Sequence, residues 1–233
     1  MKRIRTSILA LAAAASLAAG VSAQAANARG AEIPGTAGYD PADIVESLVF
    51  AHVAAIDLGA KTIAVDGAPP APLGSPAPVS AAGLTVGMNT YGIAITARTQ
   101  ELIQYRLSGA MAGTVTVASD APYGILLDGA EIAAERGPAL NLQSKKKAYI
   151  VLADGKANVL SDTKVRAKEL DEKGALSGKG AIVISGNGSL SVTGNYKHAV
   201  YAKEYVRVRG GSLNVAVTAR DGIRCDQGFF FDG

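Results

Sequence analysis

Gly188-Ser189-Leu190-Ser191-Val192 and Gly211-Ser212-Leu213-Asn214-Val215 are one phrase written twice, 23 residues apart. The same offset carries Ala199-Val200 onto Gly222-Ile223, Val206 onto Phe229 and Val208 onto Phe231. One step upstream the offset is 24: Lys173-Gly174-Ala175-Leu176-Ser177-Gly178-Lys179 reads onto Lys197-His198-Ala199-Val200-Tyr201-Ala202-Lys203. The units are alternating apolar pairs, Ile182-x-Ile184, Leu190-x-Val192, Val206-x-Val208 and Leu213-x-Val215, separated by Gly, Asn and small polar residues. Short alternation, a turn, then alternation again spells one coil of a parallel β-helix. The fold class read from these residues is therefore all-β, a right-handed parallel β-helix with coils of 23–24 residues. Stacking at about 4.8 Å places Leu176, Val200 and Ile223 in one inward column and Leu190 with Leu213 in another. Each coil alone buries almost nothing, so the core exists only as a stack.

Working outward, Tyr123–Gly129, Ala139–Leu142 and Ala148–Gly155 read as strand-and-turn segments. Ile150 to Leu152 aligns with Ile182 to Ile184 at an offset of 32, which is one 24-residue coil plus 8 inserted residues. The insertion is expected around Asp162 to Glu172, where charge is dense and apolar alternation stops; in a solenoid such insertions are loops on one face, often the binding face. Further upstream, Tyr91–Ala97, Leu102–Leu107 and Thr114–Val117 alternate as strands, and Lys61–Gly67 reads as a strand and turn. Residues 68–78 hold five of the nine prolines and read as loop. Asp40-Pro41 opens a helix, Asp as N-cap and Pro at the first helical position, with Ile44, Val45, Leu48 and Val49 following. That short helix is expected to cap the N-terminal end of the stack, which otherwise presents unpaired backbone.

The N-terminus reads as a secretory signal peptide over residues 1–23: Lys2, Arg3 and Arg5, an apolar Ala-rich run from Ile8, and Val21-Ser22-Ala23 as the cleavage site. The run is too short for a stable membrane span. The expected destination is the periplasm or the extracellular space. Residues 24–55 are then leader and capping helix, and 56–233 the solenoid domain. Cys225 is the one cysteine, so no disulfide forms within the chain. It aligns with Ala202 and Gly178, a place for small packed side chains rather than a nucleophile. His52 and His198 read as packing residues. The final Phe229 to Gly233 begins another coil with no cap after it, and this predicts a truncated chain or self-association at an open C-terminal end.

Charge is unevenly spread. From Gln24 to Glu135 there are 4 Lys+Arg against 11 Asp+Glu, a net −7, whereas Arg136 to Gly233 carry 16 against 9, a net +7. Such asymmetry points to a polyanion on the repeat half. Export argues against nucleic acid and for an acidic polysaccharide or surface polymer.

Asn195-Tyr196, Ala199-Val200-x-Ala202-Lys203, Gly210-Gly211-Ser212-Leu213-x-Val215 and Asp221-Gly222-Ile223-Arg224 together resemble the repeat of a secreted bacterial family. Tyr105-Arg106-Leu107-Ser108-Gly109, Ala153-Asp154-Gly155 and Gly186-Asn187-Gly188-Ser189-Leu190 extend the likeness over roughly Ile56 to Gly233. The family is that of the carbohydrate-binding right-handed β-helix proteins related to pectate lyases. The resemblance implies binding of polygalacturonate with calcium. Calcium needs several oxygen ligands at one point; Asp162, Asp171 and Glu172 in the inserted loop, and Asp221 with Asp226, are the ligands on offer. The sequence departs from the family's pattern where His198 precedes Ala199-Val200, and where Lys164, Arg166 and Lys168 interrupt the acidic loop.

The cations carry the reading made from the residues themselves. Repeat offsets align Lys173, Lys197 and Arg220 in one column and Lys179 with Lys203 in another. Like charges at about 4.8 Å repel by up to roughly 1 kcal/mol per neighbour in water, unless they splay outward or a polyanion lies across them. With Arg224 they form a cation array suited to a uronic acid chain, and Tyr196 and Tyr201 are the sugar-stacking candidates. The expectation is a non-catalytic binder of acidic polysaccharide. The alternatives are a polysaccharide lyase, whose base would sit at Arg220 or Arg224, and a structural or adhesive solenoid.

Overall fold

The computed structural model describes residues 40–73 and 83–232. The signal-peptide segment, most of the leader and the later part of the proline-rich stretch lie outside the described residues. The chain enters through β1 (His52–Asp57), β2 (Thr62–Val65), β3 (Ala71–Pro72), β4 (Leu84–Asn89) and β5 (Gly92–Ala97). Coils follow through β6 (Ile103–Ala112), β7 (Thr114–Ser119), β8 (Tyr123–Ala133), β9 (Leu140–Leu142), β10 (Ala148–Leu152) and β11 (Ala157–Ser161). Then come β12 (Gly174–Gly178), β13 (Ile182–Gly186), β14 (Ser189–Gly194) and β15 (His198–Ala202). The last are β16 (Tyr205–Val208), β17 (Ser212–Val217), β18 (Ile223–Cys225) and β19 (Gly228–Phe231).

Parallel pairing winds these strands into a right-handed β-solenoid of about six turns with three faces. The first face stacks β1, the leading halves of β6 and β8, then β10, β13, β16 and β19. The trailing halves of β6 and β8 turn the corner into the second face, which continues through β11, β14 and β17. The third face stacks β5, β7, β9, β12, β15 and β18.

Alternation along each strand sends one set of side chains inward, and stacking turns each set into a column. Ile93, Val115, Leu140, Leu176, Val200 and Ile223 form one column, as the repeat predicts. Leu190 sits on Leu213, and Gly178, Ala202 and Cys225 follow each other in register. Fully buried Tyr105 and Tyr123 fill the upstream lumen with ring centroids 6.1 Å apart. Asn158 is a polar side chain at an inward position. Asn158, 1% exposed, accepts from the amides of Gly129 and Ala130 at 2.9 Å each and donates to the Ser189 carbonyl at 3.0 Å. It thereby satisfies the backbone where the β6–β8 register slips between Leu107 and Gly109.

Several expectations are corrected. First, β10 pairs with β13 as Ala148 on Ile182 and Ile150 on Ile184, an offset of 34 rather than 32. β11 pairs with β14 at an offset of 32, so two extra residues sit in the turn after Leu152 and the remaining 8 in the Asp162–Glu172 loop. Apolar residues two apart share a face, so a two-residue slip leaves the pattern looking correct.

Second, the N-terminal end is closed by antiparallel strands instead of a helix. β1–β2–β3 folds back on the first face, and β4 pairs with β5 on the third. Ala71 and Pro72 therefore form part of an edge strand, a place where Pro costs no ladder bond. His52 is no packing residue: its Nδ1 lies 2.6 Å from Asp66 Oδ2 and its Nε2 3.3 Å from Glu101 Oε2.

Third, the expected capping helix is two 3₁₀ turns, Pro41–Asp43 and Val45–Ser47, and it caps nothing. Asp40 does act as N-cap, accepting from the Ala42 amide at 2.9 Å. The segment lies as a strap across the outside of the first face, where Val45 packs with Tyr149 and Val183 beside Leu48 and Phe50. Asp43 and Val45 are buried two residues apart, and Leu48 and Phe50 are half-buried at the same spacing, which suits contact with a flat sheet better than one continuous helical stripe. At the other end of the stack, Leu213, Val215, Ile223 and Cys225 are only partly buried against the core. Phe229 and Phe231 are 48% and 65% exposed.

Candidate functional site

The outer surface of the third face carries a groove of about 190 Å³ over β9, β12 and β15. Outward side chains of successive coils build its floor: Asn141, Ser177 and Tyr201 are in register. One rim is Lys179 and Lys203, each the residue just after a stacked pair, Gly178 on Ala202. The other rim is Lys173 and Lys197, each the residue just before Gly174 on His198. Lys173, Lys179 and Lys203 are exposed and Lys197 is half-buried. Four lysines thus flank one tyrosine, and Lys173 Nζ lies 5.0 Å from the centroid of the Tyr201 ring.

Tyr201 is held from behind. Its ring stacks on His198 at 6.0 Å and 21°, and its hydroxyl reaches Asp226 Oδ2 at 3.5 Å. Burial holds the His198 imidazole below its ordinary pKa; Asp221 opposes the shift, and Arg220 and Arg224 add to it. Arg224 stacks on Tyr201 in the next coil and continues the floor column. Arg220 is exposed and lies 23 residues after Lys197, the offset of the β15–β18 pairing, in the turn before β18. Tyr196 is different: Arg166 lies 4.3 Å and Lys197 Nζ 4.5 Å from its ring centroid, and it does not line the groove. Both rings are engaged by cations of the protein itself, so its place outside the groove is what sets Tyr196 apart from Tyr201.

The inserted loop is a fixed wall. Leu170 is buried against Gly137, where an added Cβ would come within 2.9 Å of Leu170 Cβ. Tyr91 donates to Glu169 Oε2 at 2.9 Å, tying the loop to the β4–β5 turn. The end of the loop delivers Asp171, Glu172 and Lys173 to the groove. Glu172 Oε1 accepts from Gln143, while Glu172 Oε2 is buried with no hydrogen-bond partner.

The five carboxylates named as calcium ligands do not converge. The Asp162 side chain is fully buried, accepting from Arg166 and from the Asn195 amide at 2.5 Å, so it anchors the loop. Asp171 and Glu172 face the groove, and Asp221 and Asp226 flank β18 on opposite turns. Among the described residues no three His, Cys, Asp or Glu side chains gather as a metal site. This donor set does not fit a calcium cage built from protein oxygens alone.

Sequence reasoning missed Asn141 and Ser177. Ser177 was reachable, because it aligns with Tyr201 at the 24-residue offset. Asn141 lies 36 residues before Ser177, across the enlarged coil, where the period gives no warning.

A solved structure, the polysaccharide lyase-like protein from C. thermocellum (a gadolinium derivative), superposes with a TM-score of 0.57 at 20% identity, covering 79% of this chain and 80% of that one. At that identity the likeness is one of fold. A carbohydrate-binding domain-containing protein of Acetivibrio thermocellus is 32% identical over 95 residues, which is 39% of this chain. The match spans about a third (33%) of that relative's length. No helix among the described residues is long and apolar enough to cross a membrane. The model of the carbohydrate-binding domain-containing protein family matches residues 90–233, which include β6 through β19 and every residue of the groove, and the chain belongs to that family.

Proposed function

We propose that the chain binds an acidic polysaccharide, a uronic acid polymer such as polygalacturonate, in the third-face groove, and does not cleave it. The observation that carries this reading is the pair of lysine rims, Lys173 with Lys197 and Lys179 with Lys203, on either side of Tyr201. Ammonium groups on both rims meet carboxylates of a bound chain. The ligand lies over a floor of Asn141, Ser177 and Tyr201, which are 1%, 3% and 7% exposed, so most of its hydrogen bonds fall to the rim lysines. Family membership supports the carbohydrate, and the net charge of +7 beyond Glu135 supports its acidity. The protein is exported in this reading and acts outside the cytoplasm.

Lyase chemistry is the second reading, favoured by the name of the solved neighbour. It requires a base over the proton next to the uronate carboxylate, and a lysine or arginine serves as base when stripped of water. Three of the four groove lysines, and Arg220 and Arg224, are solvent-exposed. Affinity electrophoresis through gels holding polygalacturonate, alginate or a neutral glucan tests the reading. Retardation is expected with the acidic polymers and none with the glucan, weakening as salt screens the charges. Equal retardation by neutral glucan removes the lysine rims from recognition, and build-up of unsaturated uronate ends assigns the chain to the lyases. A chelator arm reads out calcium: a calcium ion shared between groove carboxylates and ligand makes retardation chelator-sensitive, and lysine recognition alone leaves it unchanged.

A further inference from the structure

The strap covers a second cationic surface. Asp43, 0% exposed, accepts from Lys147 Nζ at 2.6 Å and from the Tyr205 hydroxyl at 2.7 Å, with Arg207 Nη1 at 3.5 Å. Lys147 also reaches Asp40 Oδ2 at 2.6 Å, and Arg209 Nη1 reaches the Asp43 carbonyl at 2.9 Å and Glu46 Oε2 at 3.1 Å. Tyr149 donates to the Ala42 carbonyl at 2.6 Å. Cations and phenols from β10, β16 and their turns therefore hold three carboxylates of one extended segment. The groove offers the same chemistry: ammonium groups beside an aromatic ring.

We propose that this first-face surface is a second binding surface for a long acidic polysaccharide, with Asp40, Asp43 and Glu46 standing in for polymer carboxylates until the strap is displaced. The inference rests on the reading of the groove as an acidic-polysaccharide site. Two further observations support it. The surfaces are contiguous: Lys145 and Lys146, both exposed, lead from β9 on the groove face to Lys147 at the strap, and Lys203 on the groove rim is followed by Glu204 and Tyr205. The strap is also held without a ladder. Among the described residues, the backbone–backbone bonds of residues 40–48 are internal to the segment, from Asp43, Ile44, Ser47 and Leu48. Its polar tether is side-chain charge and phenol hydroxyls, which a polyanion competes against group for group, and the apolar contact of Val45, Leu48 and Phe50 is the part it does not replace.

Hydrogen exchange on the intact protein separates the two readings, with a trigalacturonate and a long polygalacturonate as probes. Both are expected to slow exchange in β12 and β15. The long polymer alone is expected to speed exchange of the Asp43–Leu48 amides at least tenfold. Strap exchange that stays unchanged when the polymer saturates the groove overturns this proposal and leaves the groove reading intact. No slowing in β12 or β15 with either probe overturns the groove reading itself. As a second measurement, Asp40→Asn with Glu46→Gln loosens the strap at its more exposed carboxylates, and a folded variant is expected to bind the polymer several-fold more tightly with trimer affinity unchanged. Polymer affinity equal to or weaker than that of the original chain contradicts the proposal.

Discussion

Leu176→Ala is the substitution whose effect the stack predicts most directly. Leu176 is 0% exposed, with Leu140 above and Val200 below in its column. The change removes three side-chain carbons, at about 0.8 kcal/mol each for lost transfer alone, roughly 2.4 kcal/mol. Neighbours fixed by backbone ladders on both sides relax little, so the cavity term lifts the total to about 3–5 kcal/mol. For a chain of this size each kcal/mol moves Tm by about 2–4 °C, which gives a fall of roughly 6–20 °C in a calorimetric scan. Leu213→Ala is the matched control. Leu213 lies in a column on the second face but is only partly buried, and its described partner, Leu190, is on one side alone. Its fall should be less than half as large. Equal losses at the two positions, or a Leu176→Ala loss under about 1 kcal/mol, would refute the stacking argument.

Three further outcomes follow from single contacts. The hydrogen bond to Asp66 raises the His52 pKa against a smaller opposing effect of burial, and Glu101 adds to the rise. A raised folded-state pKa contributes stability that is complete below the unfolded value of about 6.5 and is lost as pH rises through the folded one. The Tm gap between the original chain and His52→Gln should therefore be widest at acidic pH, down to where Asp66 protonates, and should close as pH rises; a gap that widens with pH contradicts the sign. Gly186 has φ of +96° and an added Cβ would sit 2.3 Å from the Leu152 carbonyl oxygen, so Gly186→Ala should cost at least the roughly 1–3 kcal/mol of backbone strain, read as a lower urea midpoint. Asp43→Asn leaves Lys147 and Arg207 facing a neutral group. Breaking one side of a buried pair costs about 3–5 kcal/mol, an upper bound here because Asp40 and Asp232 still hold those cations, and an unchanged melting temperature would remove Asp43 from the strap's tether.

What was legible in the sequence was whatever repeated. Leu176, Val200 and Ile223 fall in one column because stacked coils force equal spacing between equivalent residues. Lys173 with Lys197 and Lys179 with Lys203 came with them, since neighbours of a column are also columns. The enlarged coil hid the rest: Ile150 pairs with Ile184 only once one turn and a loop have taken up extra residues, and Asn141 with Ser177 only once a second turn has as well. Tertiary docking was not legible either. Asp40-Pro41 announces a local N-cap, yet nothing near it in sequence says that Asp43 meets Lys147, Tyr205 and Arg207 more than 100 residues away. Tyr196 and Asp162 misled for the same reason. Their types suit sugar and calcium, but Arg166 engages both.

Titration calorimetry of the groove tests the central claim most directly. Trigalacturonate is titrated into the original chain and into the Lys197→Glu/Lys203→Glu variant, at low salt and again with added salt. The variant puts one repelling carboxylate on each rim while leaving the inward columns untouched. The account predicts binding that weakens with salt in the original chain, and at least a tenfold loss of affinity in a variant that keeps a cooperative thermal transition. Equal affinity in both proteins, indifferent to salt, would contradict it.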